Sequence, residues 1–296
     1  MALTGGTGFV GRRVIAHAVG QDWHIRALTR RAQSAELNVN WVRGSLDKPD
    51  SLADLMAGAD VVVHVAGVVS APDPAGFTAG NVAGTQAVLD AAQAAGVRRF
   101  VHVSSLSARE PQLSAYGASK RAGEERVAAS DRDWTIVRPS GVYGPGDTEM
   151  RDMFRMAQMG LALLPPPGRV ALVAVDDLAR LLLALAERDG PRAVLEVDDG
   201  RAMTHAELAR LIGEAVGRRV LAMHLPAGLL RLGARIDRKL RGAEAKLTPD
   251  RARYLVHADW TADPARRPAA DLWEPRIDTA RGLADTAAWY RAHGLL

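Results

Sequence analysis

Residues Thr4 to Gly11 read TGGTGFVG, four glycines set immediately before a helical pattern. Val10, Val14 and Ala18 recur at helical spacing, with Ile15 and Val19 beside them, so the glycines occupy a turn that enters a helix. Gly6, Gly8 and Gly11 fit G-x-G-x-x-G, while Gly5, Gly8 and Gly11 fit a wider G-x-x-G-x-x-G. In such a turn the first glycines let backbone approach a pyrophosphate, and the last lets the helix pack closely on its strand. The helix N-terminus then supplies N–H groups and a positive dipole. A glycine-rich surface loop is the alternative, because short glycine patterns also arise by chance.

Outward from this turn, short apolar runs alternate with helical patterns. The runs are His24–Thr29, Asn40–Val42, Val61–Gly67, Arg99–Ser105 and Trp134–Pro139, and the helices fall near Leu52–Ala57, Asn81–Ala95 and Ala115–Ala129. This alternation predicts an α/β fold of the Rossmann type, a doubly wound parallel sheet. The first strand is short, spanning Met1 to Leu3, either a brief strand or one whose start lies upstream. Residues 1–150 are expected to form the nucleotide-binding domain. Residues 151–296 are expected to form a smaller, mostly helical substrate region, part of which returns to the first domain near 170–190. Met150–Leu164 reads as a helix broken by Pro165–Pro167, with Met150, Met153, Met156 and Met159 packed in a core or lining an apolar pocket. Asp176 and Asp177 are expected to cap the next helix. Trp260, Trp273 and Trp289 read as structural.

With 296 residues, 48% of them apolar, the chain can bury a substantial core. No apolar run reaches the ~18 residues of a membrane span and no signal segment opens the chain, so a cytoplasmic location is expected. The absence of cysteine excludes disulfides, thiolate metal sites and cysteine nucleophiles, and no metal site is expected. The formal net charge of +4 is matched by one segment, in which Arg231, Arg235, Arg238, Lys239 and Arg241 oppose Asp237 alone. Leu229, Gly233, Ile236 and Leu240 lie on another face of that segment. A helix packed on its own protein is the expected reading, contact with a membrane surface or acidic partner the lesser one. Nucleic acid is not expected, because no aromatic residues interleave with the charge.

The stretch Val101–Glu125 carries the chemistry. Tyr116 and Lys120, four apart, share one face of a helix that follows a strand ending in Ser104-Ser105. With TGGTGFVG, His64–Gly67 (HVAG), Asn81–Thr85 (NVAGT), Val103–Ser105 (VSS), YGASK and Arg138–Asp147 (RPSGVYGPGD) in order, the chain resembles the short-chain dehydrogenase/reductase superfamily, in its extended or atypical epimerase/dehydratase-like branch. Val173–Glu187 and Thr286–Leu296 resemble a substrate-domain helix and the C-terminal helix of that family.

The resemblance implies roles. Tyr116 is expected as acid/base, Lys120 as the group that holds the nicotinamide ribose and lowers the tyrosine pKa, and Ser105 as the donor to the substrate oxygen, with Ser104 as its alternative. The cofactor is expected to meet Gly5, Thr7, Gly8, Phe9, Val10, Arg30, Ser45, Leu46, Val65, Ala66, Gly67, Tyr116, Lys120, Pro139 and Val142. Where an Asp or Glu would read the ribose 2′-hydroxyl of NAD, this chain carries Thr29-Arg30-Arg31, which favours NADP over NAD. His64 and His102, in apolar strands, are read as satisfied core residues.

Two departures bear on the reaction. Ser105 and Tyr116 are only eleven positions apart, shorter than in nucleotide-sugar epimerases, and Leu106-Ser107-Ala108 replaces their Val-Tyr-Gly. This spacing resembles the group of the accessory NADPH-binding subunit of respiratory complex I and simple ketone reductases. At Ser45 relatives commonly carry an aspartate facing the adenine, so that contact is either weakened or shifted to Leu46. The expected function is hydride transfer between nicotinamide and a carbonyl/alcohol pair. The alternatives are a nucleotide-sugar epimerase or dehydratase, and a cofactor-binding assembly or regulatory protein without turnover. The expected partner is a small-molecule substrate, and a homodimer is compatible with the chain.

Overall fold

The computed structural model describes residues 1–188, 190, 192–242 and 247–296, which form two compact units. The first comprises Met1–Pro139, Asp176–Val197 and Pro264–Glu274. Its described residues form one seven-stranded sheet: β1 (Ala2–Thr4), β2 (Ile25–Thr29), β3 (Val39–Arg43), β4 (Val61–His64), β5 (Arg99–Val103), β6 (Asp133–Pro139) and β7 (Ala193–Val197). The spatial order is β7-β6-β5-β4-β1-β2-β3, and every pairing is parallel. Helices α1 (Phe9–Val19), α2 (Pro49–Met56), α3 (Gly84–Ala94), α4 (Ala115–Ala128) and α5 (Val175–Glu187) belong to this layer arrangement. This is the Rossmann-type sheet that the alternation implied. The order reverses between β1 and β4, and ligands of such sheets sit outside the carboxyl ends of the strands at that point.

Burial explains why these runs became strands. Every residue of β4 and β5 is buried, as continuous apolar runs must be in a sheet covered on both faces. Leu52, Leu55 and Met56 of α2 and Val88, Leu89 and Ala92 of α3 pack with Ala2, Val62, Phe100 and Ile136 in one core. The expected runs extend past the strand ends, however. Val65–Gly67 and Ser104-Ser105 leave the sheet as loops at its carboxyl edge.

The second unit comprises Ser140–Val175, Asp198–Asp263 and Pro275–Leu296. It contains α6 (His205–Val216), α7 (Ala227–Arg241), α8 (Thr279–Ala292) and shorter helices. A Thr204/Glu207 capping box starts α6, and Gly217 in the left-handed region (φ +74°) stops it. Tyr143, Phe154, Leu211, Leu283 and Tyr290 centre its core. Two sequence expectations change here. Met150–Leu164 is a helix only over Arg151–Gln158; Gly160 (φ +78°) then turns the chain into the strand Leu161–Leu164, which pairs in parallel with Leu221–His224. The helix buries Phe154 and Ala157; of the four methionines Met150 packs against the second core and Met156 is half-buried, whereas Met153 and Met159 are exposed. Asp176 and Asp177 lie inside the first turn of α5 rather than capping it, and they pair with Arg13 and His17 and with Arg180 respectively. Trp260 and Trp273 are buried and Trp289 packs against the second core, as structural residues do.

Candidate active site

The turn after β1 distinguishes the two glycine spacings. Gly5 has φ +75°, and a Cβ there would stand 2.6 Å from the Ala66 nitrogen. A Cβ on Gly11 would stand 2.1 Å from the Gly5 carbonyl oxygen, closer than any side chain permits. Gly5 and Gly11 are therefore sterically obligatory, and the wider pattern is the one this turn needs. Gly8 caps α1 without any side chain and bonds through its N–H to the Gly5 carbonyl at 2.9 Å. Thr7, Phe9 and Val10 are half-buried around it. This glycine cradle fits a pyrophosphate held by α1 backbone N–H groups.

Beside it, the Val65–Gly67 loop follows β4. Thr4 Oγ1 bonds the ring Nδ1 of His64 at 2.6 Å and accepts from the Ala66 nitrogen at 3.2 Å, while His64 Nε2 meets Thr85 Oγ1 at 3.1 Å. His64 is thus a satisfied core residue. His102, stacked on it at 5.2 Å, has no partner for either ring nitrogen among the described residues, contrary to expectation. Burial holds both imidazoles neutral, with the Lys120 charge acting in the same direction; His64 is lowered to about 3 and His102 well below its usual value.

The third part lies at the end of β5. Ser104 and Ser105 do point apart: Ser104 Oγ donates to Glu124 Oε1 at 2.6 Å, inside a buried network in which Arg138 pairs with Glu124 (2.7 Å) and Glu196 (3.2 Å). Ser105 Oγ lies 2.6 Å from Ser107 Oγ and accepts from the Ser107 nitrogen at 3.2 Å, and its hydroxyl acts on the Tyr116 phenol by favouring the ionised form. Ser114 caps α4 by accepting from the Gly117 nitrogen at 2.9 Å, which sets Tyr116 in the helix's first turn. Lys120, one turn on and buried, donates to the Val103 carbonyl at 2.8 Å. A Cβ on Gly67 would stand 3.5 Å from Lys120 Nζ and 3.1 Å from Asn81 Oδ1, so the bare Gly67 leaves the space above the ammonium open. Ser105 and the Val103 carbonyl that Lys120 meets thus both lie at the carboxyl end of β5, and Tyr116 and Lys120 lie one turn apart on α4.

One sequence expectation is reversed. The Tyr116 pKa is raised by burial, with the Ser105 hydrogen bond only partly opposing, so the phenol holds its proton. Lys120 is lowered to about 8 by burial, against the opposing charge of Glu124, and one of its three N–H donors goes to the Val103 carbonyl.

Asn81, in the Asn81–Thr85 stretch, is a site residue without an expected role. It lies in a π-helical turn, Ala79–Ala83, leading into α3; its Oδ1 accepts from Val68 N at 2.7 Å, and its Nδ2 donates to Val68 O and Ser119 Oγ, each at 2.9 Å. Gly123 lets α4 approach the Asn81 carbonyl, where a Cβ would stand 2.5 Å away. The available signal was a polar Asn81–Thr85 pair on the face that continues as Val88, Leu89 and Ala92.

Among the other expected cofactor contacts, Arg30 is exposed just past β2, in a turn fixed by Thr29 Oγ1 donating to the Arg31 carbonyl at 2.7 Å. Ser45 donates to Asp47, and Leu46 packs against the first core. Pro139 ends β6, and Val142 lies half-buried in the second unit. An open depression of about 780 Å³ lined by Met1, Trp23, Ile25, Val39 and Asp60 lies at the amino ends of the strands, away from all of these residues. It is on the wrong side of a parallel sheet for this chemistry.

Comparison with known proteins agrees with this geometry. The sequence profile of the NAD(P)H-binding family matches residues 5–189. The ceramide reductase of Caulobacter vibrioides is 39% identical, over 100% of this chain and 96% of its own length. A 4-hydroxy-2-methyl-3-oxo-4-farnesyl-3,4-dihydroquinoline-1-oxide ketoreductase of Stigmatella aurantiaca is 28% identical, over 80% of this chain and 79% of its own. The solved structure of gox2253 superposes with a TM-score of 0.79 at 25% identity, covering 99% of this chain and 98% of that one. Cradle, sheet and family profile converge, and the chain belongs to the NAD(P)H-binding short-chain dehydrogenase/reductases as an oxidoreductase of that type.

Proposed function

We propose that the protein reduces a ketone to a secondary alcohol with NADPH, and that the ketone is borne on a long alkyl or isoprenoid chain. The observation that carries the reaction is the placement of Ser105 just past the end of β5, Tyr116 in the first turn of α4, and the buried Lys120 bonded to the Val103 carbonyl at the same strand end. A nicotinamide cofactor held at this site would supply the hydride. Tyr116, kept protonated by burial, donates its proton to the carbonyl oxygen as negative charge develops there. Ser105 holds that oxygen in line with the phenol. Lys120, beneath the open space at Gly67, engages the ribose and returns the proton to Tyr116 from solvent. Arg30 and Arg31 offer guanidinium donors to a 2′-phosphate.

The substrate class rests on the two relatives described above, one named a reductase of ceramide and the other a ketoreductase of a farnesylated ring. The short Ser105–Tyr116 segment speaks against nucleotide-sugar epimerisation. The test is NADPH oxidation against a panel of ketones of increasing chain length, including 3-oxo sphingolipid analogues. Turnover is expected to rise with chain length, and Tyr116→Phe is expected to lower kcat on the order of 10²-fold or more while NADPH still binds. Wild-type turnover in Tyr116→Phe would remove the proton donor from this mechanism.

A further inference from the structure

We infer that the face of the second unit carried by α7 docks on an anionic phospholipid surface. Successive residues of a helix are displaced by about 100°. On α7, Leu229, Leu232, Ile236 and Leu240 therefore fall within an arc of about 80°, and they are 55%, 51%, 50% and 79% exposed. The residues that α7 buries are Leu230 and Ala234, on a different side, where Asp237 accepts from the Leu247 nitrogen at 2.8 Å. The helix thus has two apolar faces, a narrow one spent on its own unit and a broad one left outside.

The chain leading into α7 repeats the feature. In the parallel pair Leu161–Leu164 and Leu221–His224, Leu161 stands opposite Leu221 and Leu163 opposite Met223. Alternation puts these four on one face of the ribbon, and all four are exposed. Isolated exposed leucines are ordinary, but four apolar side chains on one helix stripe and four more on the ribbon that leads into it through Leu225-Pro226 are not isolated, and such exposed apolar clusters mark interfaces.

Charge identifies the occupant. Arg235 and Lys239 border the broad stripe, with Arg231 and Arg238 behind them; none of the four has an acidic partner among the described residues, whereas Arg241 pairs with Asp237 at 3.3 Å. The helix carries the entire net charge of the chain, since basic and acidic residues balance outside it. An apolar stripe bordered along one edge by cations matches the boundary of a bilayer, with leucines in the acyl region and guanidinium groups at phosphates. A second copy would bring like charges together. No described helix is long and apolar enough to cross a membrane, so the contact lies on the surface. The inference rests on this surface alone and stands whether or not the proposed substrate is correct.

The experiment is flotation of the full chain with vesicles of phosphatidylcholine, with and without phosphatidylglycerol. The wild type is expected to float with the anionic vesicles and far less with the neutral ones. Combined Arg231→Gln, Arg235→Gln and Arg238→Gln should weaken partitioning on the order of 10²-fold, about fivefold per charge. Combined Leu232→Ser, Ile236→Ser and Leu240→Ser should abolish it, with an unchanged thermal midpoint because those side chains are exposed. Equal partitioning to both vesicles, no partitioning, or retention by the serine variant would overturn the inference. So would a concentration-dependent dimer that the serine variant dissociates, which would assign the face to a second copy.

Discussion

At the scale of the residue, the site is built on charges that the fold disfavours. Lys120 is buried and its pKa falls to about 8, while an unfolded lysine titrates near 10.4. Between those values the unfolded chain binds the extra proton, so stability rises with pH; below about 8 the folded protein carries a buried ammonium at a cost. Its compensation is one carbonyl bond and the nearby Glu124, itself engaged by Arg138 and Ser104. Lys120→Met should therefore raise the unfolding free energy at pH 7 by on the order of 1–3 kcal/mol, measured by urea denaturation, while turnover falls at least 10²-fold. A destabilised Lys120→Met would show that the bond to Val103 outweighs the burial cost. The tyrosine illustrates how far sequence carries at this scale. Its spacing from Lys120 placed both on one helix face, but the direction of its pKa depends on burial and on where the lysine points, which the four-residue interval does not contain.

At the scale of the element, β4 and β5 lie in register with His64 opposite His102, and both rings are enclosed. Each takes up a proton on unfolding that it lacks when folded, because both folded pKa values are depressed. Stability contributed by neutral burial is complete above about pH 6.5 and is lost as pH falls toward the folded value, at about 1.4 kcal/mol per unit for each ring. The unfolding free energy should therefore drop between pH 7 and pH 5, a window above the usual carboxylate titrations. His102→Leu, which removes the ring without bonded partners, should flatten that slope by up to about 1.4 kcal/mol per unit and stabilise the protein at pH 5. An identical slope in the variant would show that His102 is hydrated or charged in the folded state. The strands themselves were legible because burial on both faces demands an unbroken apolar run. The π turn at Asn81 was not, since it is set by the fit of Gly123 and Ser119 of α4 against it. Nor was the strand Leu161–Leu164, whose partner lies about sixty residues later and whose methionine-rich approach shares its periodicity with a longer helix.

At the scale of the whole molecule, the legible part of the fold is the part in which sequence order and spatial order coincide. The glycine turn, the alternating strands and helices, and the serine, tyrosine and lysine occur in the order in which a parallel sheet assembles its carboxyl edge. The second unit is interleaved from three separate stretches, and its small strand pairs depend on long-range partners that no local pattern announces. Cofactor choice is a property of the folded molecule that can be read without a substrate. A ligand that binds only the native state stabilises it by RT ln(1 + [L]/Kd), about 2.7 kcal/mol at a hundredfold excess over Kd. If Arg30 and Arg31 recognise a 2′-phosphate, NADPH should bind at least tenfold more tightly than NADH, a difference of about 1.4 kcal/mol at equal saturating concentrations. For a chain of this size that corresponds to a gap of about 2–4 °C between the two thermal midpoints. Because Arg30 is exposed, Arg30→Ala should leave the midpoint of the free protein unchanged while closing most of the gap. Equal shifts by NADPH and NADH in the wild type would assign both arginines to solvent and leave the cofactor choice to the contacts around Ser45 and Leu46.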